Sequence, residues 1–409
     1  MPYKIIFRCF LWLMFSGAFY TAANAQYFDI SGHKKRVSIP FRLVRNLVII
    51  KLKINGMGPY NFIMDTGAGV MIITDPSLAD SVDIPGNRVL KLTGCGNGDE
   101  FDARITSPLD VQIPGLKSYN VSAAILKKDH FGLSNYLGMP ITGLLGYEFF
   151  NNLAVKVCFE DSTLTCFRSR DERRFAKGEK VPIAIEGHKP YLFAKVHLPN
   201  GDIKSTKLVI DLGAGHPLLL DCTEQLRQFS TRYIQANLGV GFNGPITGYL
   251  SRINEIEIGK YDIKNLISSF PVQDSLHHAL DAGRDGNLGI GLLKRFDAVF
   301  DYSHNALYLK PSRNFKEPFE HDMSGLEYYA AGDGFKHIFI SRVEPGSAGD
   351  AIGLQRDDEI VAINLKPTAD MSLEQVDDIF RSQNNRNILL QVYHDKRYDN
   401  VILTLKRRI

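Results

Sequence analysis

Two aspartates stand at the ends of apolar runs, a costly placement unless the carboxylates are used. Asp65 follows Phe62-Ile63-Met64 and leads into Thr66-Gly67-Ala68-Gly69; Asp211 follows Leu208-Val209-Ile210 and leads into Leu212-Gly213-Ala214-Gly215. A carboxylate at the edge of a buried strand suffers desolvation. Gly67 and Gly213 allow the backbone to turn sharply and approach another segment. If the two segments pack about a pseudo-two-fold axis, the carboxyl groups meet on it. Two carboxyls in contact cannot both ionise easily, so they share a proton. The charged one can then take a proton from water while the other donates to a carbonyl oxygen. Such chemistry hydrolyses an amide with neither a metal nor a covalent intermediate, and no cofactor is expected.

The elements that must position this pair also repeat. The aspartates are 211 − 65 = 146 residues apart, and Gly143-Leu144-Leu145-Gly146 is echoed 286 − 143 = 143 residues later by Gly286-Asn287-Leu288-Gly289. A strand pair precedes each aspartate, and an apolar hairpin follows each glycine element. Three features in one order at nearly one spacing imply two homologous lobes. Local patterns favour strands: Leu47 to Ile54 passes from an apolar run into alternation and ends at Asn55-Gly56, a hairpin-turn pair. Helical stretches are few, with residues 223–229 one candidate. Val181-Pro182-Ile183 restarts the second lobe as Ser38-Ile39-Pro40 starts the first.

Asp65-Thr66-Gly67, with Ile141-Thr142 before Gly143-Leu144-Leu145-Gly146, resembles the motifs of retropepsin-like and pepsin-like aspartic proteases. The resemblance covers residues 38–312 in both lobes. It implies Asp65 and Asp211 as catalytic residues, with Thr66, Gly67, Leu212 and Gly213 supporting the dyad, and a peptide or protein as substrate. Leu212 departs from the pattern, because the family carries Thr or Ser there to bond across the axis. The expected outcome is an asymmetric site or impaired catalysis. The resemblance also implies hairpin flaps. Gly94-Cys95-Gly96 and Gly241-Phe242-Asn243-Gly244 are candidates, with ordinary surface turns as the other reading. His216 either lines the cleft or is packed away. No metal site is expected; His277-His278 has no further ligand at suitable spacing.

The C-terminal region resembles a bacterial-type PDZ domain. Val343 to Ala348, Ala351-Ile352-Gly353-Leu354 and Asp357 to Asn364 carry the likeness. It implies that the backbone N–H groups of Gly325 and Leu326 receive the C-terminus of a peptide ligand, laid beside a helix starting at Leu373. Ser372 and Gln375 have capping-box spacing for that helix. Pro311, Pro318 and mixed charges read as a linker with few contacts across it.

Composition narrows the remaining classes. Of 409 residues, 44% are hydrophobic and 23% charged, with formal net charge +3, which fits a globular chain of two to three domains. No concentrated basic face points to nucleic acid. Lys4 and Arg8, an apolar run and Ala23-Asn24-Ala25 read as a signal peptide, leaving no stable membrane span after cleavage; an uncleaved anchor is the alternative. Export, to a periplasm or beyond, would permit a disulfide between Cys158 and Cys166, or these are two thiols on a hairpin.

The expected fold is therefore mainly β, with a signal peptide at 1–25, one aspartic-protease lobe at 26–172, the second at 173–315, and a small α+β PDZ-like domain at 318–409. The expected function is an aspartic endopeptidase with a peptide-binding module. The alternative is a catalytically impaired peptide-binding or PDZ-centred adaptor protein on the same fold.

Overall fold

The computed structural model describes residues 25–409 apart from 84–88, 93–100, 130, 222–225, 227–229, 231, 242–243 and 273–282. Outside the described residues lie almost all of the expected signal peptide, Gly94, Cys95, Gly96, Cys222, most of the 223–229 helix candidate, and His277-His278.

Leu47–Ile54 buries four consecutive residues and then alternates, as an apolar run passing into Lys51-Leu52-Lys53-Ile54 dictates. It pairs antiparallel with Met57–Met64, the strand that delivers Asp65. Gly143–Leu145 lies parallel to Met57–Met64 and antiparallel to Met71–Ile73. The second lobe repeats this unit. Lys189–His197 pairs with Ile203–Asp211, and Gly286–Gly289 lies parallel to Ile203–Asp211 and antiparallel to Leu218–Leu220. Among the described residues, a nine-stranded sheet surrounds the first unit and an eight-stranded sheet the second.

A six-stranded antiparallel sheet joins the lobes. Its order is Glu179–Pro182, Ala306–Pro311, Phe296–Asp301, Leu153–Cys158, Thr163–Arg168, Arg36–Pro40. The central pair takes one strand from each lobe, with Val155 opposite Phe300 and Lys156 opposite Val299. Each half reads outward through the same succession of elements, so the sequence repeat becomes a pseudo-two-fold axis. Phe150 and Phe300 meet edge to face near it, 5.6 Å between centroids, and both are fully buried. Each such ring contributes roughly 2–3 kcal/mol by leaving water.

The C-terminal module has its own sheet and core. Leu326–Ala331, His337–Val343, Glu359–Ile363, Asn387–His394 and Arg397–Thr404 are neighbours in that order. Leu373–Phe380 covers them through Leu373, Val376 and Phe380. The Ser372 side chain accepts from the Gln375 N–H, and the Gln375 side chain accepts from the Ser372 N–H, closing the capping box.

One expectation is corrected and one alternative is decided. The segment after Leu309 is no loose linker: Arg295 donates to the carbonyls of Asn314, Glu317 and Pro318 and covers the Phe319 ring, which is buried. Proline and charge concealed one aromatic anchor there. Further contacts tie the module to both lobes: Asn237 Nδ2 donates to Glu327 at 2.9 Å, and Arg45 pairs with Asp377. Cys158 and Cys166 are free thiols. Cys166 stands opposite Val155 and Cys158 opposite Thr163, so hairpin register keeps the sulfurs from pairing. No described helix is long and apolar enough to cross a membrane.

Candidate active site

The two aspartates come together where the lobes meet. Parallel pairing with the glycine elements fixes each strand end: the Asp65 N–H donates to the Leu145 carbonyl at 2.9 Å, and Asp211 is in register with Gly289. A Cβ on Gly213 would lie 2.4 Å from Cγ of Asp65, and one on Gly67 would lie 3.1 Å from Cγ of Asp211. Each carboxyl thus rests against the glycine of the opposite motif, and at Gly213 only a residue without a side chain permits that approach.

Thr66 binds the lobes together. Its hydroxyl donates to the Ile210 carbonyl at 2.7 Å and accepts from the Leu212 N–H at 2.9 Å. Leu212 has no hydroxyl to make the reciprocal bonds, and its side chain is fully buried in the apolar core. Of the two middle residues, the Thr66 side chain therefore bonds across the lobes and the Leu212 side chain does not, so this support is asymmetric.

The electrostatics are asymmetric too. Asp65 Oδ1 accepts from the N–H groups of Gly67 and Ala68 at 2.7 and 3.1 Å. Asp211 Oδ1 accepts from the Gly213 N–H at 2.8 Å, and its Oδ2 accepts from Asn287 Nδ2 at 3.0 Å. Burial, then the neighbouring Asp211 charge, pushes the Asp65 carboxyl up to about 8. Burial raises Asp211 as well, opposed by the Gly213 N–H and by the charges of Arg284 and Lys189.

Sequence reasoning missed two neighbours. Asn287 occupies the place of Leu144 in the repeat, and a polar residue inside an otherwise apolar glycine element was the available signal. Tyr302 lies close enough for the charges of both aspartates to reach it; burial first, then those charges, raise it well above its ordinary value. Its hydroxyl is buried with no hydrogen-bond partner among the described residues. His216 is packed rather than poised, its Nε2 buried without a partner among the described residues and burial driving the ring down to about 4.

Of the flap candidates, Gly241 and Gly244 pair at the end of the hairpin formed by Tyr233–Gly241 and Gly244–Ile258. In the first lobe, Val89–Leu92 pairs with Phe101–Ile105, and the segment between them that holds Gly94 and Gly96 is outside the described residues.

The loop expected to hold a peptide carboxylate is already occupied. Asp322 Oδ1 accepts from the N–H groups of Ser324 and Gly325 at 3.0 and 2.7 Å, and the Leu326 N–H donates to Ser324 Oγ at 3.1 Å. The donors of Gly325 and Leu326 are thus used within the chain, a correction to their expected role. The sequence showed the glycine turn but not which acceptor would reach it first.

Away from the dyad, His197, Glu255 and Glu257 bring ligand-type atoms within 4.8 Å of one another. Lys195 and Lys264 pair with the two glutamates at 3.3 and 3.6 Å, so the cluster is balanced by its own lysines.

Two regions of the chain match known domain families. Residues 50–149 match the aspartyl protease family model, and residues 339–393 match the PDZ domain model. Among solved structures, an aspartic proteinase from Irpex lacteus is 13% identical with a TM-score of 0.47, covering 69% of this chain and 99% of that one. The photosystem II D1 C-terminal processing protease is 19% identical with a TM-score of 0.20, covering 22% of this chain and 23% of that one. No curated protein matches. The chain is a mainly β protein in which residues 50–149 match the aspartyl protease model and residues 339–393 the PDZ domain model.

Proposed function

We propose that this protein is an aspartic endopeptidase in which Asp211 is the base and Asp65 the acid. The observation that carries the reading is the close approach of two carboxyls, one buried and one half-buried, with unequal surroundings. Asp65 is raised to about 8, while Asp211 has Asn287, Gly213 and the charges of Arg284 and Lys189 to favour its anion.

The steps follow from that inequality. Asp211 takes a proton from a water whose oxygen lone pair forms the new bond to the scissile carbon. The carbonyl π pair moves to its oxygen, which takes the proton of Asp65. Asp211 then delivers its proton to the amide nitrogen as Asp65 recovers one from the gem-diol. The C–N pair leaves on nitrogen, giving a carboxylic acid and an amine. Leu212 does not break the frame that this needs, because Thr66 makes both cross-lobe bonds.

The test is cleavage of a short unstructured peptide in ¹⁸O-water, with Asp65→Asn and Asp211→Asn alongside the wild type. One ¹⁸O should enter the new carboxyl group. Each variant should lose turnover by roughly 10⁴-fold or more, and the double variant should be no worse than either single one. Undiminished turnover in Asp211→Asn would sink the two-lobe mechanism. Peptide binding by the wild type without turnover would favour a peptide-binding protein instead.

A further inference from the structure

The hairpin turn at Arg45 and Asn46 is costly for its sequence. It joins Arg42–Val44 to Leu47–Ile54 with two residues, both at positive φ, +48° and +60°. Such a turn favours glycine or asparagine, and a long side chain is strained there. The second lobe makes the equivalent turn with Gly187 and His188, between Ala184–Glu186 and Lys189–His197. Glycine satisfies the geometry, so the first lobe carries arginine for the sake of its side chain.

That side chain leaves the lobe and enters the PDZ module. Its Nε and Nη2 donate to the two oxygens of Asp377 at 3.2 and 3.0 Å. Its Nη1 donates to the carbonyls of Tyr136 and Tyr328 at 2.9 and 3.1 Å, and the guanidinium lies 4.7 Å from each of those two rings. The Arg45 and Asp377 side chains are only 7% and 8% exposed. Tyr328 belongs to Leu326–Ala331 and Asp377 to Leu373–Phe380, the strand and helix between which a ligand strand would lie. Gly138 of the first lobe reaches the same place, since a Cβ on it would lie 3.3 Å from Leu373 and 3.5 Å from Ala330. With Asp322 occupying the carboxylate loop, the groove is filled from within the chain.

Asn46 faces the other way. Its Nδ2 donates to the Gly215 carbonyl at 2.9 Å, and its Oδ1 accepts from Lys294 at 2.9 Å. Gly215 closes the motif that begins with Asp211. The second lobe mirrors the contact, with His188 Nδ1 3.1 Å from the Gly69 carbonyl.

We infer that the peptide groove of the PDZ module is a docking site for the first lobe of the same chain, and not a receptor for free C-termini. By gripping Arg45, the module holds Asn46 against Gly215 and so fixes the loop that carries Asp211. Arg45 and Asn46 are positioning residues. The inference rests on the proposed hydrolysis for its kinetic readout only.

Arg45→Gly copies Gly187 and tests this directly. If Arg45 served only the turn, the variant would relieve a strained φ and leave kcat unchanged. If the module positions the loop, Arg45→Gly and Asn46→Ala each lower kcat on a short unstructured peptide by about tenfold with KM unchanged. Amide hydrogen exchange across residues 211–216 accelerates by a similar factor. Asn46→Ala leaves the guanidinium in its groove, so its effect does not depend on undocking the module. Exchange also reads the loop in a protein that never turns over, so a failure of the hydrolytic reading is separable from a failure of this one. A fluorescent decapeptide with a free C-terminal valine should not bind the wild-type chain at millimolar concentration. Saturable binding of that peptide, or unchanged exchange in both variants, overturns the inference.

Discussion

Replacing Asp65 with asparagine should stabilise the protein while removing its proposed activity, and the gain should grow with pH. In the fold this carboxyl keeps its proton up to about pH 8, against an ordinary 3.8. Between those values the folded protein holds a proton that the unfolded chain releases. The stability that Asp65 contributes is therefore present in acid and is lost as pH rises through the folded value, by at most about 1.4 kcal/mol per pH unit. At pH 7 the accumulated loss is roughly 4 kcal/mol. Asparagine carries no such loss. Its Oδ1 can still accept from Gly67 and Ala68, and its amide would face the Asp211 carboxylate. Near pH 4 the two proteins should be almost equally stable, so the difference between profiles is the signal. The assay is urea unfolding followed by circular dichroism from pH 4 to pH 8, comparing midpoints multiplied by m-values. Parallel profiles, or a variant less stable at pH 7, would mean that Asp65 is already ionised there and that no proton is shared.

Other expectations follow from neighbouring contacts. Asn287→Leu copies Leu144 and removes the donor to Asp211, so the acid limb of the kcat profile should move up by about 0.5 to 1 pH unit, measured on one peptide. Leu212→Thr supplies the hydroxyl that the second motif lacks; pseudo-symmetry aims it at the Met64 carbonyl, and turnover should be retained while trimming a fully buried leucine costs about 1–3 kcal/mol by thermal unfolding. Asp322→Ala frees the Ser324 and Gly325 N–H groups, so it should destabilise the module by about 1–3 kcal/mol, read by urea unfolding.

The strand ends, the glycine elements and the internal repeat were legible because each depends on local pattern. An apolar run ending in Asp-x-Gly states where a strand stops and what its last residue costs. Leu212 was legible as a break in symmetry, and the structure adds that Thr66 is the one of the two middle residues whose side chain bonds across the lobes. Asn287 was visible but unread, since one polar residue in Gly-Asn-Leu-Gly gains meaning only once parallel pairing places it beside Asp211. The docking of the module could not be read. Arg45, Tyr136, Tyr328 and Asp377 are far apart in sequence, and each alone resembles a solvated surface residue. Proline and charge after Leu309 similarly signal a connection without saying that Phe319 and Arg295 fasten it. Asp322 shows the same limit in the PDZ loop: composition reveals a glycine turn with free donors, and tertiary proximity decides which acceptor takes them.

The central sheet has a consequence for how the chain must come into being. Leu153–Cys158 finds its partner Phe296–Asp301 only after 296 − 158 = 138 further residues. A chain emerging N-terminus first, at about 5–20 residues per second, therefore carries one unsatisfied hydrogen-bonding edge for roughly 7–30 s. That edge is Val155-Lys156-Val157, apolar apart from a single lysine, and it can pair with a second nascent copy as readily as with its own later half. The lysine, held in the finished fold by Asp297 at 2.7 Å, is the one charge guarding the edge during that interval. Its replacement by valine should raise aggregation during synthesis far more than it changes the stability of the completed protein.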